Sequence, residues 1–273
     1  MSKVGHRFGR DAFGDDPARY DAVHPAYPAE LYERLEAIGA LRRGMSIFEI
    51  GPGTGLATRR LLDYRPRRLL TVEPDSRLAA YLADRFRLHE GCDALGIATE
   101  LFETVGLAPE SFDLGIAATS FHWVRQRGGL DRVRAALVPG GWWAMWWMNF
   151  GTAISDDFQI AIQPIFMEAL GVAARGSRTR LAFDLDHSRR RDQLGRAGFA
   201  QIGVMSWQHR RRLTTAALID LYSSFSVIKA LPDGNRARLL DGLADIAETR
   251  FGGAPERVFT TTLYTAQNPL RAG

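Results

Sequence analysis

Cysteine is nearly absent. Cys92 is the one thiol in 273 residues, which excludes an intrachain disulfide and any cysteine-rich zinc cluster. Lysine is also scarce: Lys3 and Lys229 stand alone, and arginine supplies the rest of the 35 basic side chains. The longest apolar run, Trp142 to Met148, falls far short of the roughly 20 residues that a spanning helix needs. The opening stretch, Met1 to Gly9, has no apolar segment of the secretory kind. Internal repeats and low-complexity tracts are missing as well. These absences predict a soluble, cytoplasmic protein with no membrane partner.

What is present reads as a folded chain. Hydrophobic residues make up 46% and aromatics 10%, and 35 basic residues nearly balance 31 acidic ones, so bulk disorder is excluded. The net charge of +4 is too small to signal a polyanion partner. Arg189-Arg190-Arg191 and Arg210-Arg211-Arg212 stand out, but no aromatic-interleaved basic module accompanies them. They read as solvated faces, although Arg189 or Arg210 would suit an acidic substrate. The expected partner is a small molecule rather than nucleic acid, and the chain is expected to be a monomer or homodimer.

The pattern along the chain alternates. The segment 13–28 reads as irregular, and Pro28 opens a helix over Ala29 to Ile38. Strands are predicted at Met45 to Ile50, Arg68 to Glu73, Cys92 to Thr99 and Phe112 to Ala118. The helices between them are predicted at Leu56 to Leu62, Ser76 to Arg87 and Leu130 to Leu137. Val138 to Gly141 reads as a turn before a very aromatic strand, Trp142 to Met148. Such βα alternation predicts an α/β fold with a doubly wound, mostly parallel sheet. After Asn149 the rhythm breaks into a helix over Ile154 to Leu170 and a polar stretch, Arg175 to Asp186. A helix over Ser188 to Ala197, a strand over Ala200 to Trp207, helices over Thr214 to Phe225 and Arg236 to Thr249, and a last strand over Arg257 to Thr265 complete the pattern. The expected organisation is a core with an N-terminal lid over 1–149, an insertion over 150–190, and the end of the sheet with a helical cap over 191–273.

The chemistry sits in Phe48-Glu-Ile-Gly-Pro-Gly-Thr-Gly55, between a strand and a helix. Glycines there let a backbone approach a ligand closely, and the helix N-terminal amides face it. A dinucleotide fingerprint requires a third glycine where Leu56 stands. The spacing is instead Glu49-x-Gly51-x-Gly53-x-Gly55, which argues against a nicotinamide oxidoreductase. Glu73 ends the second strand, where a carboxylate can accept hydrogen bonds from ribose hydroxyls.

This spacing resembles the first motif of class I S-adenosylmethionine-dependent methyltransferases. Glu73-Pro74-Asp75 resembles the family's second motif, and Glu100-Leu-Phe102-Glu103 its adenine-holding segment, with Glu103 the preferred carboxylate. Phe112-Asp-Leu114 through His122-Trp123 resembles the fourth motif, and Leu137 to Gly141 the turn before the fifth strand. The FHW run and Tyr20-Asp-Ala-Val-His24-Pro-Ala-Tyr27-Pro28 are similar to a bacterial small-molecule subgroup of type 11/25. The resemblance implies a Rossmann-like methyltransferase fold with seven strands and S-adenosylmethionine as cofactor. It implies cofactor contacts from Tyr20, Glu49, Gly51, Gly53, Gly55, Glu73, Pro74, Phe102, Glu103 and Ala118. Relatives often carry arginine at the position of His24, and Tyr27 serves packing as well as it would serve a ligand.

For the reaction, in-line displacement from a sulfonium asks the protein mainly to position the acceptor and exclude water. A hydroxyl acceptor profits from a base and a carboxylate does not. His122 has the pKa range of a base, or else it shapes the cofactor pocket. Phe121, Trp123, Trp147 and Asn149 are expected to line an apolar acceptor site, while most of Trp142, Trp143, Trp146 and Trp147 pack the core. No metal constellation is visible in the histidine spacing. An S-adenosylmethionine-binding relative with a regulatory or pericyclic role keeps the same loop, so the glycines alone do not separate it from a methyltransferase.

Overall fold

The computed structural model describes residues 16–150, 156–171 and 183–271. The chain divides into two compact units. One comprises 26–147, 183–206 and the chain from 261 onward; the described parts of the other are 16–25, 148–150, 156–171 and 207–260. The sequence grouped 16–25 with the core, and by packing this segment belongs to the second unit.

The sheet comprises β1 (Ser46–Ile50), β2 (Arg68–Val72), β3 (Leu95–Ala98), β4 (Phe112–Ala118), β5 (Leu137–Phe150), β6 (Ala200–Arg212) and β7 (Glu256–Gln267); the first unit holds it except for residues 148–150, 207–212 and 256–260. Their order is β3-β2-β1-β4-β5-β7-β6. The pairs β1/β2, β2/β3, β1/β4 and β4/β5 are parallel. Against β6, β7 runs the other way: Gln201 meets Gln267 and Ser206 meets Thr262. The sheet is therefore mixed. The helices of this unit are α2 (Ala29–Ala37), α3 (Leu56–Asp63), α4 (Ser76–Phe86), α5 (Gln126–Ala136) and α7 (His187–Arg196).

The strand order reverses between β1 and β4. Right-handed crossovers then put the helices that leave β1 and β4 on opposite faces, and a crevice opens at the carboxyl ends of these two strands. Side chains of β5 alternate accordingly. Trp143, Met145 and Trp147 join Phe48, Phe112 and Phe121 in one core cluster, while Trp146 meets the rings of Tyr27 and Tyr32. All four tryptophans of this strand are buried, so the aromatic run serves packing first.

Two local expectations change. Val138 to Gly141 is not a turn before a strand but part of β5 itself. Phe112 pairs with Leu137 while Leu114 pairs with Trp142, so the surplus residues bulge out of the ladder, with Gly140 at φ 82°. Helix α5 begins a turn earlier than the apolar spacing suggested. Gly129 lies inside it because a Cβ there would meet Val124 Cγ1 at 2.6 Å.

The second unit is helical: α1 (Pro17–Val23), α6 (Asp157–Ala169), α8 (Thr215–Ser223), α9 (Ser226–Lys229) and α10 (Asp233–Phe251). Its core joins Phe158 and Ile162 to Leu218, Tyr222, Ile228, Leu239, Leu243 and Ala247. Helix α1 replaces the irregular segment expected there. Pro17 occupies the first turn and Asp16 accepts from Arg19 N at 3.0 Å, a local cap hidden within a polar sequence. Of the polar stretch Arg175 to Asp186, residues 175–182 lie outside the described residues, as do Ile154 and Ser155. Among the described residues, no helix is long and apolar enough to cross a membrane.

Candidate functional site

The glycine loop leaves β1 at the point where the strand order reverses. Gly51 continues the parallel ladder by donating to Val72 O at 2.9 Å. Its φ is +62°, and a Cβ there would stand 2.7 Å from Ser120 Cβ. Ser120 Cβ is fixed by its backbone, so no side-chain rotation relieves the contact; its hydroxyl donates to Ile50 O. Gly53 also has a positive φ, +57°, but a Cβ there would meet nothing within 4 Å. Gly55 is the N-cap of α3. The loop thus has two glycines closed against protein, Gly51 against Ser120 and Gly55 against Leu82 and Phe86, and one, Gly53, facing open space. Alanine at Gly53 is expected to cost about 1–2 kcal/mol from the left-handed backbone alone. Alanine at Gly51 is expected to add about 1–3 kcal/mol of overpacking. Urea denaturation of the two variants measures the difference, and equal stabilities would contradict the close approach to Ser120.

Two carboxylates flank the loop. Glu73 is 5% exposed; its Oε2 accepts from Gly53 N at 3.1 Å and its Oε1 from Asp75 N at 3.0 Å. A carboxylate oxygen can accept more than one hydrogen bond. Pro74 is exposed beside it. Glu49, on β1, is fully buried. Its Oε2 accepts from the Thr58 hydroxyl at 2.6 Å, and its Oε1 has no partner among the described residues. Burial first, and the nearby Glu73 charge second, push its carboxyl up to about 8, against the pull of the Thr58 hydrogen bond. An unsatisfied acceptor in a buried site is expensive, and a cationic ligand group would satisfy it.

On the other side of the crevice, β4 ends at the half-buried Ala118, and Thr119 follows at φ 56°. A left-handed backbone at a β-branched residue is strained. It is held by Thr119 N donating to Trp146 O at 2.7 Å and by the Tyr27 hydroxyl, 3.1 Å from Thr119 Oγ1. Burial raises the Tyr27 phenol to about 12, so it stays protonated at neutral pH. Sequence reading singled out neither Thr119 nor Ser120. Their signal is conformational, and a local pattern carries none of it.

The short 3₁₀ turn Phe121–Trp123 comes next. His122 and Trp123 are half-buried. Trp147 Nε1 donates to His122 Nδ1 at 3.0 Å, and the Phe183 ring lies 6.2 Å from His122 and 5.1 Å from Trp147. Phe121 departs from expectation. Its ring is fully buried against Trp143 at 5.0 Å, so it is core and has no surface to offer an acceptor. Trp147 is 3% exposed and acts through its indole nitrogen rather than as an open wall.

The adenine-type segment is divided in the same way. Phe102 packs into the core with Phe48 at 6.3 Å and carries Arg132 over its ring at 5.7 Å; its carbonyl accepts from Arg132 Nε at 3.1 Å. Glu103 is half-buried and accepts from Arg125 N at 3.3 Å, whereas Glu100 is exposed. Tyr20 and Asn149 belong to the helical unit. There Tyr20 stacks on His24 with ring centroids 3.7 Å apart, and burial lowers the His24 imidazole below its ordinary value. Of the arginine runs, Arg190 is buried, with its guanidinium 3.6 Å from the Phe183 ring centroid. Arg210 pairs with Glu256 at 2.7 Å on the surface.

Residues 48–145 match the methyltransferase domain family. A methyltransferase-like protein of Schizosaccharomyces pombe, itself uncharacterised, is 25% identical over 237 residues, 87% of this chain and 86% of the relative. The structure of a putative type II methyltransferase from Anaeromyxobacter dehalogenans superposes with TM-score 0.65 at 17% identity, over 91% of this chain and 99% of that one. A phosphoethanolamine N-methyltransferase of Haemonchus contortus, solved with S-adenosyl-L-methionine, gives TM-score 0.58 at 14% identity over 97% of this chain and 60% of the other. The relatives include fungal proteins, so the likeness extends beyond bacteria.

Proposed function

We propose that this chain, whose residues 48–145 match the methyltransferase domain family, is a class I S-adenosylmethionine-dependent methyltransferase that methylates an oxygen, hydroxyl or carboxylate, of a small-molecule acceptor in the cytoplasm. The observation that carries the cofactor site is the pairing of an open Gly53 with an unsatisfied, buried Glu49 Oε1 across one glycine loop. The residues fit a ligand that carries both a cation and vicinal hydroxyls. Glu49 would hold the ammonium, Glu73 the ribose hydroxyls, the backbone of Gly51 to Gly55 the edge of the ligand, and Glu103 the exocyclic amine. Pro74 and the backbone at Phe102 and Ala118 would border the same space. When bound, the cofactor supplies an electrophilic methyl on a leaving group that needs no activation.

What remains for the protein is to place the acceptor and keep water out. Trp123 and Trp147 are proposed to do this, with His122 hydrogen-bonding the acceptor. The small-molecule reading is supported by the modest net charge of +4 and by the diversion of arginines into the core and into surface ion pairs. The test is calorimetric titration with S-adenosylhomocysteine, with NAD(H) as control. Micromolar binding of the first alone is expected. Binding of neither, or of NAD(H), would overturn the assignment of the loop.

A further inference from the structure

The hydrogen bond between Trp147 and His122 decides more than packing. An indole nitrogen only donates, so the ring nitrogen it meets must accept. With Nδ1 accepting at 3.0 Å, the proton of the neutral imidazole resides on Nε2. We propose that Trp147 is a positioning residue that locks His122 as the Nε2–H tautomer, and that His122 therefore serves the reaction as a hydrogen-bond donor and not as a general base.

Neither nitrogen is suited to take a proton from an acceptor. Nε2 already carries one, and a proton on Nδ1 would point at the indole N–H, setting two donors against each other. The groups packed around the ring reinforce this. Trp123 lies 4.7 Å from it between centroids, and Phe183 lies at 6.2 Å with the Arg190 guanidinium on that ring. Beyond Trp147, the Tyr264 ring follows at 6.4 Å, its hydroxyl 2.6 Å from His187 Nδ1 and donating to Asp184 O. Burial holds the Tyr264 phenol well above its usual value, so it too remains protonated. Charges of both signs, Asp184, Asp186, Arg190 and Arg191, act around Tyr264.

The consequence for specificity rests on the methyltransferase reading: a donor at this position selects an acceptor whose oxygen is already ionised or carries an open lone pair. A neutral aliphatic alcohol, which must surrender a proton during transfer, is not served by His122.

The experiment is a long-range proton–nitrogen correlation spectrum of the 15N-labelled full chain without ligand, recorded at pH 8.5, with His122 assigned by its loss in His122→Gln. The expected pattern places the proton of the neutral imidazole on Nε2 and leaves Nδ1 unprotonated and hydrogen-bonded. In Trp147→Phe the two tautomers should mix. If that variant does not fold, His122→Leu gives the same information from the other side, because the Trp147 indole proton should move upfield and exchange faster. An Nδ1–H tautomer or an even mixture in the parent protein would overturn the proposal. Cofactor binding is not needed for this readout, so its failure and the failure of the methyltransferase assignment are separate results.

Discussion

Replacing Glu49 with glutamine is expected to stabilise the ligand-free protein at alkaline pH and to weaken cofactor binding at the same time. Glutamine preserves the shape and the hydrogen bond from Thr58 but removes the ionisation. Glu49 is pushed up to about 8 by burial, while the unfolded chain titrates near the ordinary glutamate value, about 4.3. Between those values the folded protein holds a proton that the unfolded chain has lost. Stability from this group is therefore full below the unfolded value and is lost as pH rises through the folded one. The penalty at pH 9 is on the order of a few kcal/mol, and melting temperatures of parent and variant across pH 5 to 9 measure it. Parallel curves would show that Glu49 ionises normally.

Ligand binding supplies the second half of this prediction. An ammonium beside Glu49 favours the carboxylate, so binding of S-adenosylhomocysteine at pH 7 should release a proton from the parent. Calorimetry in two buffers of different ionisation enthalpy reads that release directly. In Glu49→Gln it should vanish, and affinity should fall by roughly 10–100-fold, the worth of a charge-assisted hydrogen bond of about 1.5–3 kcal/mol. Unchanged affinity with no proton release would place the ligand's cation elsewhere.

The largest stability loss is expected in the helical unit, from Arg257→Met. Arg257, on β7, is 1% exposed. Its Nε donates to Asp156 at 2.9 Å, one terminal nitrogen to the Tyr222 hydroxyl at 2.6 Å, and the other to Gln159 Oε1 at 3.0 Å. Phe158 and Tyr222 present their rings to the guanidinium at 5.0 and 5.6 Å. Within the helical unit, the arginine thus fastens the start of α6 and the last turn of α8 to the start of β7, far away in sequence. Methionine fills the space but leaves the buried Asp156 carboxylate with, among the described residues, the amides of Gln159 and Val258. Breaking one side of a buried pair costs roughly 3–5 kcal/mol. Arg257→Lys retains the charge without the planar fork and should fall between. Urea unfolding tests the series, and a loss under about 1 kcal/mol for methionine would show that the pair behaves like a surface ion pair.

The parts of this protein that the sequence determined by itself are those whose cause is local. The strand–glycine loop–helix unit at Ser46 to Asp63 follows from apolar runs, glycine spacing and helix periodicity, all within a few residues. The same holds for β4, whose bounds Phe112–Ala118 match the expectation from its apolar run. Glu49 and Glu73 were identifiable because their positions at strand ends follow from the alternation of elements. The order of the sheet was within reach through the resemblance carried by those motifs, since crossover handedness leaves few alternatives.

Only the tertiary structure decided what those groups are like. Glu49 is an ordinary glutamate in the sequence, and burial between packed elements gives it a proton at neutral pH. Thr119 is strained because Trp146 and Tyr27, distant in sequence, hold its backbone and hydroxyl. His122 reads as a base until Trp147 fixes its tautomer, and Phe121 reads as a ligand contact until Trp143 buries it. Val138 to Gly141 has the composition of a turn, yet β4 beside it draws the segment into the ladder as a bulge. In each case the deciding partner lies well outside the span that turn chemistry or hydrophobic periodicity can sense. Burial, hydrogen-bond direction and strain are properties of pairs brought together by the fold, and they do not exist along the chain.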